Sequence, residues 1–186
     1  MTFAKPEKAA LQRCLELLTR LDGMALVLGD PTPHIWTEMD AAGYAATTDT
    51  QAATGIFYNR SSYWRLTPGE LQYMFADAPA LTADIAVWEA SAPLVALRLE
   101  PNRYRGRLLG FVTDNPAAAA VLQKLRGPTH PGPLQDQLQR IAEAIFWELT
   151  RLHARITSVL LVPGGENPRA DAVSRGQWDR LAALLA

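Results

Sequence analysis

Few residues in this 186-residue chain have types and spacing that could do chemistry, and they are scattered. His34, His130 and His153 lie far apart and lack the spacing of metal ligands. The single cysteine, Cys14, falls on the apolar side of a predicted helix, which excludes an intrachain disulfide and any multi-thiolate metal site. No zinc-protease, nucleophile-elbow, P-loop or dinucleotide-binding pattern occurs, so neither a metal nor a cofactor is expected. The most suggestive stretch is HIWTEMD. Were it helical, His34 and Glu38 would share a face at i, i+4, and Glu38 or Asp40 would orient the imidazole for general-base work. Pro31 and Pro33 argue instead for a loop, which leaves a small enzyme built on His34 as an alternative only.

Two clusters suit binding better than catalysis. FYNRSSYWR gathers Phe57, Tyr58, Arg60, Tyr63, Trp64 and Arg65 into nine residues. Its rings offer stacking faces and its guanidiniums offer planar forks, although alternate rings would equally fill a core. PNRYRGR (101–107) carries three arginines and a tyrosine at a predicted hairpin tip, where such charges are ordinarily just solvated. Eighteen basic residues against nineteen acidic ones leave a net charge of −1, so no overall field recruits nucleic acid or anionic lipid. The halves differ: residues 1–90 hold six basic and eleven acidic groups, and 91–186 hold twelve and eight.

The elements that must position these groups begin with an amphipathic helix over 6–22, bearing Leu11, Cys14, Leu15 and Leu18 on one face. A short buried strand over 24–29 follows. Residues 31–53 have no sustained period and read as an irregular region. A hairpin is expected over 55–66, then a capping box at Thr67 and Glu70 opening a short helix. TADIAVWEA, APLVALRLE and RGRLLGFVT read as three strands. Asn115-Pro116 caps a helix. Leu134, Leu138, Ile141, Ile145, Leu149 and Leu152 predict a long helix over 133–154. A strand over 156–162 and a last amphipathic helix complete the chain. This order predicts an α+β fold, an antiparallel sheet with helices on one face.

The leading helix, the paired strands APLVALRLE and GRLLGFVT, the helix after Asn115 and the long helix LQDQLQRIAEAIFWELTRLHAR together resemble a GAF-like, PAS-related sensory domain over about 1–155, with 156–186 as a strand–helix extension packed on it. The resemblance implies a non-enzymatic regulatory module that binds a small molecule and dimerises through its terminal helices. The dimer face would use Leu11, Leu18, Leu138, Ile145 and Leu149. On geometric grounds the ligand would meet Trp36, Tyr58, Arg60 and Trp88, the last reaching from its strand into a pocket. With no output domain in the sequence, a protein partner is expected; a ligand-free interaction module is the alternative. Nucleic acid is not expected as a partner, no apolar stretch is long enough to span a membrane, and the cytoplasm is the expected compartment.

Overall fold

The computed structural model describes residues 32–42, 53–58, 62–67, 70, 85–127 and 134–186; the expected helix over 6–22 and strand over 24–29 lie outside them. Pro31–Ala186 make one compact unit. Its centre is a five-stranded sheet built from β1 (Ile35–Ala42), β2 (Ala53–Tyr58), β3 (Ser62–Leu66), β4 (Leu108–Thr113) and β5 (Arg155–Leu161), in the order β3-β2-β1-β4-β5. The first three strands form an antiparallel meander, with Asp40 opposite Gly55 and Gly55 opposite Arg65. β4 runs parallel to β1, and β5 parallel to β4.

The sheet is therefore mixed, not antiparallel, because TADIAVWEA and APLVALRLE are not strands. Their described residues form one helix, α1 (Ile85–Leu99), followed by the single turn α2 (Pro101–Tyr104). Every residue from Val87 to Leu97 is buried, so this helix has no polar stripe to show a 3.6-residue period. A short apolar run of that kind looks the same whether it is a buried strand or a buried helix. Pro93 lies inside it and removes the N–H that would bond the Glu89 carbonyl one turn back. Tertiary burial holds the helix regardless.

The region expected to be irregular contains β1, the central strand. Thr37, Met39 and Ala41 point to the face covered by α1, while Trp36, Glu38 and Asp40 point to the other. The Tyr104 and Thr37 hydroxyls hydrogen-bond at 3.0 Å on the α1 side. The hairpin of β2 and β3 forms as its sequence predicts. At Thr67 the N–H and hydroxyl both donate to the Glu70 carboxylate, at 2.7 and 2.8 Å.

α3 (Pro116–Lys124) starts at Asn115, whose side chain accepts from the N–H groups of Ala117 and Ala118. α4 (Gln135–Leu152) turns its Leu138, Ile141, Ala142, Ile145, Leu149 and Leu152 stripe inward against α1. Leu138, Ile145 and Leu149, expected to face a second copy, are thus buried in the chain's own core; Leu11 and Leu18 lie outside the described residues. Residues 156–186 supply nearly all of β5, then a 3-10 turn (Gly164–Glu166), α5 (Pro168–Ser174) and α6 (Trp178–Leu185).

α5 covers the face of the sheet opposite α1, so the helices do not all share one side. It approaches β2 backbone to backbone at Gly55, where a Cβ would stand 2.5 Å from the Ser174 nitrogen and 2.7 Å from the Ala170 carbonyl oxygen. Neither atom can retreat without moving the helix. Gly55→Ala should therefore lower stability by about 1–3 kcal/mol through overpacking. Gly165→Ala, where nothing lies within 4 Å of an added Cβ, should melt with the parent protein. Thermal unfolding of both variants checks this, and equal melting temperatures would contradict it.

Candidate metal centre

Side-chain oxygens of Asp40, Glu89 and Asp114 all lie within 4.8 Å of one another. Asp40 comes from the second half of β1, Asp114 directly follows β4, and Glu89 sits in the early part of α1. β1 and β4 are adjacent and parallel, so their carboxyl ends open side by side. Such ends are where sheets of this kind present functional groups. Asp40 and Glu89 are each only 5% exposed. Gly164 closes in behind: a Cβ there would stand 2.8 Å from Asp114 Oδ2.

Other side chains hold the carboxylates in place. The Thr113 hydroxyl donates to Glu89 Oε2 at 3.2 Å, and the Ser174 hydroxyl donates to Asp40 Oδ2. Two further contacts tie the start of α5 to β1 just before Asp40. Arg169 forms a two-point ion pair with Glu38, and the Asn167 amide donates to the Met39 carbonyl at 2.8 Å. From β3, Arg65 Nε donates to the Ser174 carbonyl at 3.2 Å. A fourth acid, Asp171 of α5, is near enough to Asp40 to bear on its ionisation. Burial would raise Asp171, but hydrogen bonds and ion pairs from Arg175 and Arg180 outweigh it and hold this carboxyl below its usual range.

The triad behaves as crowded acid. Burial, then the Asp114 and Asp40 carboxylates, push the Glu89 carboxyl up to about 8. Burial likewise raises Asp40, opposed by the Ser174 hydroxyl. Asp114 Oδ1 is buried and accepts no hydrogen bond among the described residues. An all-oxygen, anionic donor set with an unpartnered buried acceptor fits a hard divalent cation such as Mg²⁺ or Mn²⁺. The 4.8 Å spread is close to the roughly 4.2 Å between opposite oxygens around a cation bound at ~2.1 Å.

The residues expected to form a site are placed differently. Trp36 is half-buried on β1, its ring lying over Gly110 of β4. Trp88 is buried on α1, not on a strand, and its neighbour Glu89 is the residue that enters the site. Tyr58 ends β2 opposite Thr37 and Ser62, and nothing of its side chain is described; Arg60 lies outside the described residues. HIWTEMD is extended, so His34 and Glu38 stand about 13 Å apart along the strand and do not meet. His34 instead is exposed and exchanges main-chain and side-chain bonds with Leu108, while Glu38 belongs to Arg169. Of that trio only Asp40 enters the cluster.

Sequence reasoning missed Glu89 and Asp114 because the three acids come from separate elements with no motif linking them. The one local signal was Asp114 itself, standing between a strand and the Asn115-Pro116 helix cap. Because Glu89 binds its proton more tightly folded than unfolded, its contribution to stability is complete below about pH 4.5 and is lost as the pH rises to about 8. The metal-free protein should lose stability across that window. Glu89→Gln, neutral at every pH, should flatten much of the fall; thermal unfolding against pH checks this, and an unchanged slope in the variant would contradict it.

No protein-family model and no curated protein matches this sequence. Solved structures do resemble its fold. One is the RNase H1 of the halophilic archaeon Halobacterium salinarum, with a TM-score of 0.52 and 17% identity over 78% of this chain and 97% of that one. Another is LC11-RNase H1, isolated from compost by a metagenomic approach, with a TM-score of 0.50 and 13% identity over 83% of this chain and all of that one. This likeness, the mixed sheet and the acidic triad overturn the resemblance to a GAF-like domain and, with it, the expectation of a non-enzymatic regulatory module. Among the described residues no helix is long and apolar enough to cross a membrane. The fold of this chain is RNase H-like.

Proposed function

We propose that the protein is a divalent-cation-dependent nuclease that hydrolyses phosphodiester bonds, with RNA as the strand cut. The observation that carries this reading is the convergence of Asp40, Glu89 and Asp114 at the carboxyl ends of two adjacent parallel strands. The RNase H-like fold supports it, and the RNase H1 name of the neighbours is what points to RNA. It departs from the expectation against nucleic acid, which rested on the net charge and on reading the arginines of 101–107 as solvated. The charge averages to −1 over the chain, but Arg169, Arg175 and Arg180 cluster on or next to α5 beside the acids.

Asp40, Glu89 and Asp114 would hold the cation. When bound, such a cation supplies charge stabilisation at a phosphoryl oxygen and a more acidic water. The chain's own residues prepare the place. Thr113 and Ser174 fix the rotamers of Glu89 and Asp40. α5, pinned by Arg169 and Asn167, keeps the Asp40 side of the cluster closed. Burial and the neighbouring carboxylates favour the protonated form of Glu89 near neutral pH, so the site is less repulsive than three carboxylates would be, and Glu89 would have to give up that proton to serve as a ligand.

Purified protein should cut RNA, tested single-stranded and paired with DNA, in the presence of Mg²⁺ or Mn²⁺ and stop on chelation. Double-stranded DNA serves as the comparison substrate. Asp40→Asn, Glu89→Gln and Asp114→Asn should each lower the rate at least ~100-fold, the scale on which loss of one charge-stabilising group acts. Cleavage that survives all three substitutions, or that ignores chelation, would overturn the reading.

A further inference from the structure

The nuclease reading leaves one prominent surface feature unexplained. Tyr63 of β3 and Trp178 at the start of α6 lie ring to ring, centroids 5.4 Å apart and tilted by 30°, yet they remain 45% and 46% exposed. Large aromatic side chains usually spend such a contact on burial. This pair meets across two elements distant in sequence and keeps nearly half of each residue in solvent. Beside it opens a pocket of about 410 Å³, lined by Gly176, Gln177, Trp178, Asp179 and Arg180. Among the described residues the lining holds no aliphatic side chain; the exposed Leu184 and Leu185 stand at the opposite end of α6.

Charge surrounds the rings. Arg65 places its guanidinium within 4 Å of where a Gly176 Cβ would be. Arg175 and Arg180 each contact Asp171, but their side chains stay 52% and 46% exposed. Against these three cations stand Asp171, Asp179 and Glu70, the last held in its charged form by its hydrogen bonds from Thr67 and by nearby Arg65, so the described charges of the patch balance. A chain of contacts links the pocket to the triad: Arg180 reaches Asp171 at 2.6 Å, and the Ser174 hydroxyl lies between the Asp171 carbonyl oxygen, at 3.0 Å, and the Asp40 carboxylate.

We propose that Tyr63 and Trp178, with Arg65 and Arg180 at their edge, form a stacking subsite for an unpaired nucleobase of the substrate, next to the acidic cluster. Exposed π-faces with guanidiniums to meet the backbone are what single-stranded nucleic acid needs. The proposal rests on the nuclease reading for the class of ligand, but its test needs no cleavage.

Fluorescein-labelled hexadeoxyadenylate is titrated in EDTA and its anisotropy followed, with an abasic hexamer of the same backbone as control. The wild type should bind the adenylate and bind the abasic strand much more weakly. Trp178→Ala and Tyr63→Ala should each weaken adenylate binding by about 5- to 150-fold, the range for loss of one stacked base, and Trp178→Phe should recover most of it. Either alanine variant alone reads the site should the other fail to fold. No binding by the wild type, equal binding of the abasic strand, or alanine variants within twofold of the parent would overturn the subsite. If the binding differences hold while the wild type cuts no RNA with Mg²⁺ or Mn²⁺, the nuclease reading fails and the stacking site stands.

Discussion

Three carboxyl groups within 4.8 Å of one another, two of them almost wholly buried, are the arrangement on which this structure depends. Charged together and away from water, they would repel strongly, so the fold must hold them by force or neutralise them. It does both. Glu89 keeps its proton to about pH 8, and a hydroxyl donates to each of Glu89 and Asp40. What remains is a set of oxygens short of positive charge, the basis of the proposed cation site.

The architecture follows from bringing these acids together. The parallel pairing of β1 with β4 sets Asp40 and Asp114 side by side. α1, buried along nearly its whole length, carries Glu89 in from the helical layer. On the opposite face α5 rests on Gly55, close enough that its Ser174 reaches Asp40 and its Arg169 reaches Glu38. The last thirty residues are therefore the brace of the site, and through Asp171, Arg175 and Arg180 they link it to the aromatic surface beyond.

How much of this was legible in the sequence depended on whether an element sits at a boundary between core and water. α4 was plain, because its Leu138–Leu152 stripe alternates with exposed charge. The β2–β3 hairpin and the Asn115 cap were plain for similar local reasons. α1 was opaque, because a segment buried all round carries no period. β1 was opaque too: it is short of the usual strand formers, and its acids resemble a loop until their partners across the sheet are known. The site inherited both failures. Asp40 lay in the stretch read as irregular, and Glu89 in the stretch read as a strand with attention on Trp88. Only tertiary structure joins them to Asp114.

The three carboxylates are proposed to bind a divalent cation together. Crystals soaked in Mn²⁺ and measured near the manganese absorption edge would answer this directly. An anomalous peak bounded by Asp40, Glu89 and Asp114, and lost in Asp40→Asn, is the predicted result. A cluster without a peak at saturating Mn²⁺, with the three side chains placed as they are here, would contradict it.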